Sequence, residues 1–193
     1  MLDEKSDGDS VKWLSEITGA DERSVGVEGV NIAKLYQKKI LVPPGFVLSK
    51  EVCMNFKKDN GIEPRIKAQI MHLDKNNEKN VISSAEKIKE IVESSVFKGS
   101  IIQEIDEAYG FLDTSSVYSN NKKLKVSVKS LIGGKNVEAE DKNSLIRGIV
   151  QIYSEAIGSV EWIKSCNEKN IEESLPVIAV YKSVNENACA FVY

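Results

Sequence analysis

The run Val42-Pro43-Pro44-Gly45-Phe46-Val47-Leu48 places the tightest local limit on what this chain can fold into. Two consecutive prolines hold φ near −65° and lack backbone N–H groups, so no helix continues through them. Gly45 then turns the chain, and Phe46-Val47-Leu48 reads as a short buried strand. Upstream, Ile32, Leu35 and Tyr36 recur at spacings of three and four, which predicts a helix over 29–38. Val11–Leu14 reads as a short strand, and Gly19–Ser24 as a polar loop. A helix that breaks directly into a buried strand makes the chain mixed α and β.

The rest of the chain supports that class. Ser49 is placed to cap a helix running to Asp59, which Asn60-Gly61 ends. Pro64 sits where a first helical residue is tolerated, followed by Ile66, Ile70 and Leu73 at helical spacing. Asp74–Asn80 reads as a polar loop. Ser83 and Glu86 have capping-box spacing at the start of a helix lined by Ile88, Ile91 and Val92. A further helix over 99–111 carries Ile101, Ile102, Ile105 and Tyr109. Thr114–Lys123 is rich in Ser and Asn. Beyond it Leu124–Val128 alternates with period two, as a half-buried strand does. Ile132–Asp141 is polar, with a hairpin-like turn at Gly133-Gly134. A helix over 144–157, capped by Asn143, stops at Gly158. Val177–Tyr181 and Ala188–Tyr193 read as two strands joined at Asn185-Glu186-Asn187. The organisation is a flexible N-terminus over 1–10, a mainly helical lobe with short strands over 11–113, a linker over 114–123, and an α/β lobe over 124–193 with a strand-helix-strand-strand pattern. The fold class is α+β, in two lobes.

Charge and cysteine usage exclude several functions. Lys and Arg number 26 against 29 Asp and Glu, giving a net charge of −3, so no basic footprint for nucleic acid exists. No run of about 18 apolar residues suggests a membrane span. Met1-Leu2-Asp3-Glu4-Lys5 lacks the basic start and apolar run of a signal peptide, which points to a cytoplasmic protein. Cys53, Cys166 and Cys189 are odd in number and widely spaced, so they suggest neither a zinc site nor a disulfide framework. With 41% hydrophobic residues the chain can bury a sizeable core.

Candidate binding chemistry lies at two glycine-bearing segments. Gly26 and Gly29 fit either a phosphate cradle at a helix start or a tight turn before a helix. Lys129, at a strand end, fits either a phosphate contact or an exposed strand lysine. Gly133-Gly134-Lys135 does not make a P-loop. Lys129 stands where its first glycine belongs, and Asn136 where Ser or Thr is required. Glu138, Glu140 and Asp141 fit either a magnesium site or a solvated loop face. His72 lies among apolar helical residues and reads as structural. Trp13, Trp162, Tyr153 and Phe46 read as packing. No Ser/His/Asp arrangement is evident.

Five segments, in order along the chain, resemble the phosphoenolpyruvate synthase / pyruvate phosphate dikinase family. Val25-Gly26-Val27-Glu28-Gly29-Val30-Asn31-Ile32-Ala33-Lys34-Leu35 is similar to that family's V-G-G-K-G-A-N-L-x-E-L, and Val42–Phe46 to its V-P-P-G-F. Val11–Leu14 sits where the family has an apolar, aromatic-containing strand. Val126-Ser127-Val128-Lys129-Ser130 resembles V-A-V-R-S-S, and Val177–Tyr193 resembles its strand-turn-strand, with Lys182, Val184 and Asn185 matching. The resemblance implies the N-terminal half of an ATP-grasp nucleotide-binding domain, with ATP and magnesium as cofactors. Phosphate would pass from ATP to a histidine on another domain, and then to pyruvate. It also implies that Gly26, Glu28, Gly29, Lys129 and Ser130 are the nucleotide-phosphate positions.

Two of those positions depart from the family. Glu28 stands in place of the lysine of G-G-K-G. At about 4 Å and an effective dielectric of about 20, reversing one charge turns roughly 4 kcal/mol of attraction into similar repulsion before screening. Lys129 stands in place of the arginine; it keeps the charge but not the planar, two-pronged donor. Only Leu131–Lys142 separates Ser130 from the next helix, too short for the family's A-T-A-E-D stretch together with its S-F-A-G-Q loop. Tyr181 replaces the glutamine of Q-K-M-V. The family's acidic magnesium ligands, phosphohistidine and pyruvate site have no counterpart here. The expectation is a non-catalytic or partner-dependent form of the dikinase ATP-binding domain acting through protein contacts. The alternative is the ATP-binding module of a split or truncated dikinase. Its partner would be a second ATP-grasp half, or another copy paired through an open strand edge over 177–193.

Overall fold

A computed structural model describes residues 10–114, 124–131, 133–166 and 176–183. Five strands form one antiparallel sheet: β1 (Val11–Trp13), β2 (Gly45–Leu48), β3 (Val126–Ser130), β4 (Asn136–Ala139) and β5 (Ile178–Lys182). Their order across the sheet is β1-β2-β5-β3-β4. The helices are α1 (Glu22–Gln37), α2 (Lys50–Asp59), α3 (Ile62–Ile70), α4 (Glu78–Glu93), α5 (Ile101–Thr114), α6 (Lys142–Ile157) and α7 (Val160–Ser165). The class is mixed α and β, as the patterning predicts.

Strand alternation divides the interior into two cores. Phe46, Leu48, Val126, Val128, Ile178 and Val180 face the larger core with buried residues of α2–α6 and Ile163 of α7. Val47, Val177 and Ala179 face the opposite way, onto Leu14, Ile17 and the α1 residues Val25, Val30 and Ala33. Period-two side-chain direction produces this division directly. Trp13 packs edge-on to Phe46 at 5.6 Å and to Phe111 at 5.0 Å, tying the β1 edge to α5. Gln37 fixes the far end of α1 by donating to the carbonyls of Leu14, at 3.0 Å, and Ile17, at 2.8 Å.

The Pro-Pro-Gly break acts as its chemistry requires. Pro44 accepts the Lys182 N–H at 2.8 Å, and Gly45 starts β2 opposite Tyr181. A Cβ on Gly45 would overlap the Val180 carbonyl oxygen and lie 2.9 Å from Tyr181 Cδ1. Only glycine permits this close approach of β2 to β5.

Several local expectations are corrected. Gly19–Asp21 is a 3-10 turn, with Thr18 and Asp21 forming its capping box, and Glu22–Ser24 already belong to α1. The cap of α4 is Asn77, whose side chain accepts the Asn80 N–H at 3.3 Å, so Ser83 lies inside the helix. Asp141, not Asn143, caps α6, in a reciprocal pair with Ser144. Pro64 is the third residue of α3, and His72 lies exposed in the turn beyond that helix. Asn136–Ala139, read as polar loop, is the edge strand β4. The short helix α7 had no predicted counterpart. Cys53 and Cys166 are buried; burial pushes the Cys53 thiol up to about 12. Cys189, the 188–193 strand and the turn at 185–187 lie outside the described residues. Among the described residues, no helix is long and apolar enough to cross a membrane.

Candidate functional site

The end of β2, the end of β3 and the start of β5 meet at one edge of the sheet. Leu48, Ile178 and Ser130 are in register across the three strands. The Leu131 N–H donates to the Val177 carbonyl at 2.9 Å, extending the pairing by one step. Against this edge lies a break in α1. Gly26 has φ 72° and ψ 169°, a region that residues with a Cβ essentially never occupy, so the helix stops and restarts there. A Cβ on Gly26 would sit 3.0 Å from Glu28 Oε2, 3.4 Å from Val177 Cγ2 and 3.6 Å from Lys50 Cε. The turn therefore brings together α1, the lead into β5 and the first residue of α2.

The five sequence-derived positions take different places around this edge. Gly26 is buried at the break, and Glu28 is exposed beside it. Gly29 lies one turn into the restarted helix. A Cβ there would be 2.8 Å from Val25 and 3.9 Å from Val47 Cγ1, so its smallness serves close packing of helix on sheet. Lys129 is in register with Ala179 and, through it, with Val47, on the face that α1 covers. Two strand spacings put it about 10 Å from Val47. Lys129 is exposed; Ser130 is buried and, by alternation, faces the larger core with Val126 and Val128. The backbone of Ser130 is thus at the site, while its side chain serves the opposite face.

Sequence reasoning missed Lys50, Ser24 and Ser49. Among the described residues, the buried hydroxyl oxygens of Ser24 and Ser49 have no hydrogen-bond partner. Ser24 lies two residues before Gly26. Ser49 is only 1% exposed and immediately precedes Lys50; it holds the expected N-cap position of α2, but its hydroxyl makes no capping hydrogen bond. A hydroxyl between a strand and a helix ordinarily signals a cap, so nothing in the sequence pointed to a different role.

The polar half of this face continues over β3 and β4. Ser127, Lys129, Asn136 and Glu138 share it, with Asn136 Nδ2 donating to Glu138 Oε1 at 3.4 Å. The acidic residues of the predicted magnesium alternative are engaged separately. Glu140 pairs with Lys125, whose pKa that hydrogen bond raises. Asp141 accepts the Ser144 N–H, which holds its carboxyl below the ordinary range. Among the described residues, no cluster of three or more His, Cys, Asp or Glu side chains is placed to hold a metal. Burial raises the Tyr181 phenol, whose ring packs against Gly45.

Helices on both faces of an antiparallel sheet, with a glycine break in α1 and a lysine near the end of β3, define an α+β domain. The family model described as pyruvate phosphate dikinase, AMP/ATP-binding domain, matches residues 22–141, and the chain belongs to that family. The match begins with α1 and includes the Gly26 turn and Lys129. The chain is also similar to three proteins described as probable phosphoenolpyruvate synthase. The Archaeoglobus fulgidus protein is 29% identical over 160 residues, covering 81% of this chain and 20% of its own length. The Methanothermobacter thermautotrophicus protein is 33% identical over 102 residues, covering 53% of this chain and 15% of its own. The Methanocaldococcus jannaschii protein is 26% identical over 115 residues, covering 58% and 10%. The chain thus spans at most about a fifth of these relatives.

Proposed function

We propose that this chain is an ATP-binding domain of phosphoenolpyruvate synthase type that completes phosphotransfer only with further polypeptide. The convergence of the Gly26 break with Lys129 at one sheet edge carries this reading. The break leaves room beside Val177 that any Cβ would fill, and Lys129 supplies a cation on the same face. Those features fit a polyphosphate; Glu28 opposes it. ATP would lie against the edge with its phosphates toward the turn, and Lys129 would stabilise their charge as a point cation.

The need for further polypeptide is supported by the shape of the face. Helix α1 covers Val47, Val177 and Ala179, while Lys129, Asn136 and Glu138 remain exposed. Among the described residues, a nucleotide resting there has one protein wall, and phosphoryl transfer requires an enclosed site in which charge is stabilised away from water. The second wall would come from another segment or subunit, which would also bring the acidic ligands for magnesium. The family resemblance implies that the phosphate acceptor would be a histidine on another domain.

Calorimetric titration of the chain with ATP and magnesium tests the reading. Saturable heat is expected, and Lys129→Glu should weaken binding by roughly tenfold or more, as expected when a phosphate-facing cation is reversed. A flat trace with folded protein overturns nucleotide binding. Steady hydrolysis of ATP by the chain alone, at rates typical of dikinase-class enzymes, overturns dependence on further polypeptide.

A further inference from the structure

We infer that Lys50, the first residue of α2, is the phosphate-contacting cation of the glycine turn. This rests on the reading that the turn binds ATP. The point where a Gly26 side chain would begin lies 3.6 Å from Lys50 Cε and 3.0 Å from Glu28 Oε2. The ammonium is one bond beyond Cε, so Lys50 brings a positive charge to the mouth of the break from a separate element. It is held there by short connections. Leu48 ends β2 inside the sheet, and the Ser49 N–H donates to the Ser10 carbonyl at 2.9 Å before α2 begins. Lys50 is half-buried, so its stem is supported while its head can move.

The two unpartnered hydroxyls are the independent observation. Ser24 and Ser49 belong to the two segments that the turn brings together, one two residues before Gly26 and the other next to Lys50. A buried hydroxyl without a partner costs about 1–3 kcal/mol. The cost is removed if a ligand oxygen accepts from it, and phosphate oxygens are strong acceptors. Ser49, only 1% exposed and next to Lys50, and Ser24, two residues before Gly26, are the donors this reading assigns to such an oxygen. The third unpartnered hydroxyl among the described residues, that of Tyr153, lies in the larger core. Glu28 then acts as an internal competitor. Its carboxylate oxygen lies 3.0 Å from the point where a Gly26 side chain would begin, and in this reading it moves aside for an incoming phosphate.

Calorimetry with ATP and magnesium on wild type, Lys50→Gln, Lys50→Arg, Glu28→Gln and the Lys50→Gln/Glu28→Gln pair tests this. Lys50→Gln should weaken ATP binding by roughly tenfold or more, and Lys50→Arg should stay within about threefold of wild type, because charge rather than shape is retained. Glu28→Gln should tighten binding, and the gain should shrink once Lys50 is Gln, because the two groups couple. Wild type that binds ATP and a folded Lys50→Gln that binds equally well overturn the Lys50 assignment alone. Wild type that does not bind overturns the nucleotide reading and this inference with it. Should Lys50→Gln fail to fold, amine acetylation of wild type followed by peptide mass analysis decides the matter. Saturating ATP should slow modification of Lys50 at least about fivefold relative to exposed Lys79, and equal rates overturn the assignment.

Discussion

The two faces of the sheet show opposite strategies. The larger core joins alternate residues of β2, β3 and β5 to α2–α7, and it is continuous from Phe46 to Ile163. Among the described residues, the buried apolar cluster on the other face is small: Leu14, Ile17, Val25, Val30, Ala33, Val47, Val177 and Ala179. Helix α1 is broken at Gly26 and covers only part of that face, and the β3–β4 half carries Ser127, Lys129, Asn136 and Glu138 instead. The difference teaches where stability and binding separate. The large core fixes the sheet, and the thin face can then hold a strained glycine, two unpaired hydroxyls and opposed charges at one edge. Strain of this kind persists only where surrounding packing over-determines it.

The sharpest way to break the comparison is at Gly45, where both faces depend on close approach of β2 to β5. Gly45→Ala should cost about 3 kcal/mol or more, because a Cβ meets backbone that cannot move aside. A fall in the urea midpoint with unchanged slope is the expected signature. A loss below about 1 kcal/mol shows that β2 can shift without disturbing the core.

Gly26→Ala should act on the thin face alone. Its backbone conformation costs about 1–3 kcal/mol for a residue with a Cβ. Urea unfolding should show that loss, smaller than for Gly45→Ala, and ATP binding should fall with it. Retained stability would mean that the helix runs unbroken through Gly26 in solution.

Lys129→Ala should sharpen the contrast from the open half. An exposed strand lysine should change stability by no more than about 0.5 kcal/mol, while ATP affinity drops. Thermal melts and calorimetry on the same sample separate the two effects. A large change in melting with no change in affinity would assign Lys129 to the sheet instead.

Much of the scaffold was legible because its signals are local. The two prolines and Gly45 fix β2, and the apolar spacing in α1, α4 and α6 marks the helices. Ser83–Glu86 misled because residues three apart also occur inside amphipathic helices, so capping-box spacing does not itself mark a start. β4 was hidden although Asn136-Val137-Glu138-Ala139 does alternate; four residues with two polar side chains resemble a loop. The site was legible in part. Gly26, Glu28 and Lys129 could be named from the chain. Ser130 is split from Lys129 by one step of strand alternation, and the meeting of Lys50 with Gly26 exists only after β2 has been placed in the sheet. No local pattern encodes such a contact.

The smallest predicted effect concerns acid, and it tests how the thin face is anchored. Asp21 accepts the Thr18 N–H at 2.8 Å and the Thr18 hydroxyl at 3.0 Å, and it pairs with Lys12 at 3.1 Å. The backbone hydrogen bond is the main cause that holds its carboxyl below the ordinary range, with Lys12 next. A depressed folded pKa means the folded state favours the ionised carboxylate. The stabilisation is therefore complete above the unfolded value of about 3.9 and disappears as pH falls through the lower folded value. Asp21 and Lys12 are half-buried at the surface, so the contribution of the ion pair is about 1 kcal/mol. Asp21→Asn should lower the melting temperature slightly at pH 7 and converge on wild type as pH falls through the lowered folded value. The wild-type loss below about pH 4 should be reduced to the same extent. Parallel curves for the two proteins across that range would show that α1 is held by its apolar contacts and Gln37 alone, and that the charged link from Lys12 to the helix entry contributes nothing.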